Sequence, residues 1–543
     1  MTAINFFRQG TEVSATVALL CAVPAMIGFA SGAVLHVPAQ YDAIQEAIGH
    51  AVHGDTVLVQ PGTYVESLDF DGKAITVTGV APEDSSVVGR TVVDARASDA
   101  DPRSVVTFKS GEGSASVLAG LTLTGGTGTP WRAGRLWGEK SCAGGGVFIQ
   151  EASPSLYRVL IRDNQTSGEE GWGGGILCVG ASPLLQECTI RSNEIREDPE
   201  YWNSMGAGVA SMEGSAPRLV DCVLAGNKCG RGSDGGGIAV YRAQATLVGT
   251  RITGNSAESA GGGIHVGMLG NIDAKDCLID GNEAGFGGGV SSETWFFPAQ
   301  GNFTDCRIVA NGAYAGGGIN LVGQGSFEFQ NCSVVGNRGS RIGPGAPGCA
   351  GGVYQLVDKL RFVNCVIAKN YTDGEGGGVW SFGRNTSEYV NCIVAGNQAE
   401  KEGGGFYLSE GDVRMIHCTV VDNRSSQGGG LFMDDSGPEI TNTIFWEDGT
   451  SPVVGVGASF PVITYSAVAG GWPGEGNIDL DPGFVRYGGA SYVLRPSSPC
   501  IDAGAGAHDG IDWCSLHPGY CQWNSAAPDM GAFGGPDSQG WLP

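Results

Sequence analysis

Cys277-Leu-Ile-Asp-Gly-Asn282, followed after four residues by Gly287-Gly-Gly289, is the phrase whose reading decides the fold. It recurs along the chain. Cys188-Thr-Ile-Arg-Ser-Asn193 leads to Gly206-Ala-Gly208, and Cys222-Val-Leu-Ala-Gly-Asn227 to Gly235-Gly-Gly237. Further copies stand at Cys306/Asn311, Cys332/Asn337, Cys365/Asn370, Cys392/Asn397 and Cys418/Asn423, with Val159/Asn164 and Thr250/Asn255 lacking the Cys. Successive Cys-equivalent positions are 26 to 34 residues apart. A unit that small cannot bury a core alone, so the units must stack into a solenoid. Alternation along the short strand turns the Cys inward, the next residue outward and the following apolar residue inward.

Stacking then builds inner columns. One is Cys on Cys; another runs Ile190, Leu224, Ile252, Ile279, Ile308, Val334, Ile367 and Val394. The Asn residues form a third column, able to bond amide to amide between coils. Strands of neighbouring coils lie about 4.8 Å apart, so some fifteen coils would make a rod on the order of 70 Å long.

These phrases resemble those of right-handed parallel β-helix proteins of the pectin-lyase-like group. The Gly-Gly-Gly-Ile and Asn elements are similar to repeats of bacterial secreted and surface β-helix proteins and of polymorphic outer-membrane proteins, with Cys or Thr where those often carry Phe. Gly54-Asp-Thr-Val-Leu-Val-Gln-Pro-Gly-Thr-Tyr64 resembles a first coil. The resemblance implies an all-β right-handed parallel β-helix and leaves function open, because the group spans enzymes, adhesins and scaffolds. Before that coil, Ile44, Ala47, Ile48 and Ala51 fall at helical spacing and predict an N-terminal capping helix. Asp481-Pro-Gly-Phe484, Ser498-Pro-Cys-Ile-Asp-Ala-Gly504 and Asp529-Met-Gly-Ala-Phe533 resemble a closing segment. The expected organisation is a signal peptide over 1–33, a capping segment over 34–53, the β-helix over 54–475 and a C-terminal cap over 476–543.

Composition bounds the rest. The chain has 543 residues, of which 93 are Gly, yet 41% are hydrophobic, which argues for turn-rich repeats rather than disorder. With 31 basic and 56 acidic residues the net charge is −25, which disfavours nucleic acid as a partner. The apolar run from Thr16 to Ala30 and the small residues after it read as a secretion signal. No later run approaches the length of a membrane span. The expectation is therefore a secreted or cell-surface monomer with no transmembrane span in the mature chain. Of 16 Cys, eight fall in the inward column, where parallel neighbours are badly placed for bridging. Cys142–Cys178 and Cys514–Cys521 are the pairs expected to form disulfides.

Two surfaces offer candidate sites. Loops between the Asn and the Gly run emerge on one edge, and those of the early coils carry Trp131, Trp137, Trp172, Tyr201 and Trp202. Sugar rings stack on such side chains, which suggests binding of a polysaccharide or cell-surface glycan; the plainer reading has these rings packing loops on the rod. The residues preceding each Cys, among them Asp276 and Asp305, are expected on an outer sheet face with Asp280, Arg251 and Arg307. Carboxylates that hold Ca²⁺ beside an Arg base would suit β-elimination on a uronic-acid polymer, as in the pectate lyases this arrangement resembles. In that alternative Asp276, Asp280 and Asp305 are the metal ligands and Arg307 or Arg251 the base. The plainer reading is a solvated face with charges paired across coils. Only seven scattered His give no support to Ser/His/Asp catalysis. The leading expectation is a secreted or cell-surface β-helix scaffold that binds carbohydrate or other surface material without catalysis.

Overall fold

The computed structural model describes residues 32–96, 101–131, 141–166, 171–196, 204–340, 348–383, 386–449, 451–487, 490–505 and 528–532. Residues 1–31 of the proposed signal peptide lie outside the described residues, as do Cys514 and Cys521.

The chain winds as a right-handed parallel β-helix. Its described residues form three long parallel sheets of 27, 15 and 9 strands, here called sheets 1, 2 and 3. Sheet 1 takes two strands from most coils, such as Ile238–Tyr241 and Gln244–Val248, bent at a corner between them. Sheet 2 takes one, such as Leu278–Asp280, and sheet 3 a short one, such as Glu283–Phe286. Registry is in phase along the rod: Ile252, Ile279, Ile308 and Val334 sit over one another in sheet 2, all without solvent exposure. The eight column Cys are buried as expected.

The Asn column is a continuous ladder. From Asn164 to Asn423, each side-chain Nδ2 donates to the Oδ1 of the next Asn along the chain, and Asn423 donates to Asp448. Each Nδ2 from Asn164 onward also donates to a carbonyl of the preceding coil; Asn164 reaches Leu123 at 3.1 Å and Asn311 reaches Ile279 at 3.0 Å. The buried turn therefore has its polar groups satisfied without water. The Gly run after it follows from close approach. Gly287 has φ 61, and a Cβ on Gly288 or Gly289 would collide with the backbone of the next coil at Gly312 or Gly318.

The ends differ from expectation in detail. Val34–Val37, inside the segment assigned to the cap, already pairs in parallel with Thr56–Val59 as the first strand of sheet 1. The helix Ile44–His50 follows it and lays Ile44, Ala47 and Ile48 on the core. At the other end Trp472 packs on the main core, before the assigned boundary at 476. The described parts of the C-terminal segment instead lie along the side of the rod. A hairpin of Phe484–Tyr487 and Ala490–Leu494, with Cys500, Met530 and Ala532, covers the outward residues Ile393, Ala395, Val421 and Ile444 of sheet 2.

One expected disulfide is absent. Cys178 is a free thiol in the main core, where burial pushes its pKa up to about 12. Cys142 lies on a separate two-stranded ribbon opposite Pro130, so the two are not partners.

Candidate functional site on the outer face of sheet 1

The Asp-rich set expected on one sheet face divides between two places. Asp276 and Asp305 occupy the corner before sheet 2, with φ of 54 and 56, rather than the sheet itself. Glu187, Asp221, Asn331, Asn364 and Asn391 repeat that conformation. A left-handed residue there breaks the period-2 count, and Asp and Asn tolerate it best. Burial and then the Asp305 carboxylate raise the pKa of Asp276. Asp305 accepts from Asn331 at 3.1 Å, beginning an outer amide row through Asn364 and Asn391. Asp280 stands at the far end of its strand, 3.9 Å from Arg251, and Arg307 is in register with Leu278. The described residues hold no group of three or more His, Cys, Asp or Glu placed to bind a metal. The expected Ca²⁺ set of Asp276, Asp280 and Asp305 is thus not assembled, and Arg251 is a partner of Asp280.

The aromatic set also changes. Trp172 is 2% exposed and packs with Phe148, Leu177, Ala210 and Met212, with half-buried Trp131 against the same cluster. Its ring fills a gap over the early coils and offers no face to a ligand. Trp137, Tyr201 and Trp202 lie outside the described residues.

What the structure does bring together is a row on the outer face of sheet 1. The second residue after each Gly run points away from the core, and parallel registry stacks these residues coil upon coil: Ala239, His265, Ser291, Asn320, Tyr354, Trp380, Tyr407 and Phe432. Residues just before the Gly runs form a flanking wall, with Asp234 in line with Met205 and Glu402 in line with Gln427. The corner between the two strands of each coil forms the opposite flank, where Tyr241 and Phe382 stand.

The row has a polar stretch and an aromatic stretch. In the polar stretch, His265 Nδ1 and Ser291 Oγ are 2.8 Å apart, and His265 Nε2 is 3.9 Å from Asp234 Oδ2. Three coils thus place Asp, His and Ser side by side, against the expectation that the scattered His support no such grouping. Ser291 is fully buried, and Asp234 is too far for a direct hydrogen bond to the ring, so the geometry is not that of a nucleophile with its base. Asn320, next in the row and 2% exposed, leaves Oδ1 without a partner. In the aromatic stretch, Tyr354, Trp380 and Tyr407 stack at 4.6 and 6.0 Å with planes within 6° and 5° of parallel. Being stacked along the rod, they turn edges rather than faces outward; Trp380 Nε1 is buried and unpartnered. Burial, then the charges of Glu375, Asp434 and Glu402, push the pKa of Tyr407 up to about 12.

Faces are supplied by the corner. Between Thr294 and Ala299 the registry with the next coil is interrupted, and Trp295, Phe296 and Phe297 project there, 56%, 84% and 49% exposed. They belong to the coil of Ser291. Three consecutive exposed aromatic residues make this corner a candidate interaction surface. Sequence reasoning missed them because Glu293-Thr-Trp-Phe-Phe-Pro298 falls at the sheet-1 corner, away from the long loops it singled out.

This architecture agrees with the comparisons. A family model described as right handed beta helix region matches residues 174–355. No curated protein sequence matches the chain. Among solved structures the chain is similar to the pectate lyase Pel9A, at 11% identity over 90% of each chain and a TM-score of 0.25. It is also similar to a mannuronic acid specific polysaccharide family 6 lyase from human gut microbiota, at 11% identity, 79% of this chain, 91% of that one and a TM-score of 0.33. A third is the Siphovirus 9NA tailspike receptor binding domain, at 11% identity, 83% of this chain, 79% of that one and a TM-score of 0.27. The family-model match and the three long parallel sheets together define the class, a right-handed parallel β-helix. No helix among the described residues is long and apolar enough to cross a membrane.

Proposed function

We propose that this chain is a secreted or cell-surface β-helix that binds a linear polysaccharide along the outer groove of sheet 1 without catalysis. The observation that carries the reading is the exposed Trp295-Phe296-Phe297 corner at the edge of this face. A polymer needs apolar faces for its rings and polar groups for its hydroxyls, and the coils set side chains along this face at a repeat of about 4.8 Å. Trp131, half-buried in the early coils, and Trp137, Tyr201 and Trp202, which lie outside the described residues, stay proposed members of the binding set. Trp172 is taken out of the binding set by its burial. A Ca²⁺-dependent lyase reading loses its support with the separation of Asp280 from Asp276 and Asp305.

The test is binding of the purified protein to a panel of linear polysaccharides, with Trp295→Ala/Phe296→Ala as the comparison. Because both side chains are exposed, the double variant should keep the thermal midpoint while losing at least about tenfold in affinity, or about 1.4 kcal/mol. Binding that the double variant leaves unchanged would overturn the groove assignment. The same mixtures should show no rise in the ultraviolet absorbance of unsaturated uronate ends, and a rise would overturn the absence of catalysis.

A further inference from the structure

We infer that the C-terminal segment is a strap that opens as one body when the surroundings turn acidic, baring an apolar strip on the outer face of sheet 2, with His417 as its latch. The strip is a local feature. In earlier coils the outward positions of sheet 2 include Arg191, Arg251 and Arg307; in the last coils they carry Val366, Ile393, Val421 and Ile444. A parallel sheet that is apolar on both faces needs a cover on each. Here Phe484, Tyr492, Leu494, Cys500, Met530 and Ala532 supply the outer one. This cover is a body of its own. Its two strands pair with each other, and the backbone N–H groups of Gly504, Met530 and Asp502 donate to Pro528, Cys500 and Asp529. Among the described residues, neither of those two strands joins a sheet of the rod.

The tie to the rod centres on one ring. Asn442 exchanges two hydrogen bonds with Ala505: its Oδ1 accepts from the Ala505 N–H at 2.8 Å and its Nδ2 donates to the Ala505 carbonyl at 3.0 Å. That exchange fixes the amide, so Nδ2 presents its second hydrogen to His417 Nε2, 3.2 Å away. On the other side of the ring, His417 Nδ1 meets the Asp529 carbonyl, an acceptor only, at 3.2 Å. The buried imidazole must therefore be neutral, with its proton on Nδ1. A second proton, on Nε2, would face a donor. Turning the Asn442 amide to meet it would break both bonds to Ala505, so the proton and the strap compete. The acids in this contact act in the opposite sense. Tyr492 donates to Asp422 at 2.9 Å, and burial, then Asp422 and Asp481, raise the pKa of Glu447. Burial also raises that of Asp529, whose carboxylate accepts from the Asp502 N–H. Carboxyls with raised values hold the strap more firmly as pH falls, whereas protonation of His417 loosens it.

The test is a titration of the full chain from about pH 7.5 to 4 with an uncharged dye that fluoresces on apolar surface, alongside far-ultraviolet circular dichroism. The ratio of open to closed strap should rise about tenfold per pH unit from about 6.5 down to the folded value of about 4. Dye fluorescence should climb over that range while the β signal of the rod stays constant. Nitrogen-15 spectra should place the His417 proton on Nδ1 at neutral pH, a signature that needs no variant. His417→Gln, which offers the same donor and acceptor without a titration, should leave the dye signal flat. The inference is overturned by a dye transition that this variant retains, or by one that comes only with loss of the β signal. Absence of any transition, or a neutral ring that carries its proton on Nε2, would overturn it as well.

Discussion

Asn423 donates both its backbone N–H and its side-chain Nδ2–H to one oxygen of Asp448, at 2.8 and 3.0 Å. Asp448 is thus the last rung of the ladder that Asn164 begins, and the one rung whose side chain is a carboxyl. Each Asn from Asn193 to Asn423 also uses its amide to reach a carbonyl of the coil before it; Asn423 reaches Val394. An ionised Asp448 has no such donor, and its Oδ2 is buried without a partner.

Asp448→Asn should therefore stabilise the last coils at neutral pH. Burial is the main cause that raises the Asp448 pKa well above the usual carboxylate value. A carboxyl whose folded pKa is raised contributes stability that is fully present below its unfolded pKa of about 3.9 and is lost as pH rises through the folded value. The variant removes that loss and adds the missing amide donor. Denaturation followed from pH 4 to 8 should show its advantage growing with pH to about 1–3 kcal/mol, the cost of an unmet buried polar group. An advantage that is flat in pH would mean that Asp448 is not the titrating rung.

The thiol column predicts a substitution tolerance and a chemical silence. Cys306 Sγ lies 3.4 Å from the Ala274 carbonyl and 3.2 Å from that of Thr304. Thr250 fills the same column position with its hydroxyl on the equivalent carbonyls of Leu219 and Val248. Cys306→Thr should consequently cost little, whereas Cys306→Val, which matches Thr in shape but has no donor, should cost about 1–2 kcal/mol. Burial also raises the pKa of Cys365 and Cys418. In the folded protein an alkylating reagent should leave the column Cys unmodified, as counted by mass, and should reach them only in denaturant.

The Cys, apolar and Asn columns were legible in the sequence because each recurs at a fixed offset within its unit, as in Cys277, Ile279 and Asn282. Asp276 and Asp305 were misplaced because alternation presumes an extended chain, and the corner residue is left-handed. The run of Asp and Asn at that offset was the available clue, since these residues adopt such a conformation most readily. The outer row was hidden for a different reason. His265, Ser291 and Asn320 share nothing in chemistry or spacing, and only their common place two residues after a Gly run aligns them. Whether Trp172 or Trp295 was the exposed ring depended on which turn each occupied, and hydrophobicity alone does not distinguish them.

His417 gives the C-terminal segment a pH dependence. It occupies the same corner as Asp276 and Asn391, with φ 51, but is covered by the returning chain. Its Nδ1 meets the Asp529 carbonyl at 3.2 Å and its Nε2 meets Asn442 at 3.2 Å, while Asn442 also bonds Ala505. Burial lowers its pKa to about 4. A histidine held neutral in the folded state contributes stability that is present above its unfolded pKa of about 6.5 and is lost as pH falls through the folded value. Between these limits the loss should reach about 3 kcal/mol, confined to the segment that covers sheet 2. Hydrogen exchange at Gly504, Met530 and Gly531, whose amides bond Pro528, Cys500 and Asn442, should accelerate as pH is lowered from 7 to 4, after correction for intrinsic rates. The Asn ladder amides of the central coils should not follow. His417→Gln, which keeps a polar side chain without the titration, should flatten the profile; an unchanged profile in that variant would assign the acid sensitivity to another group.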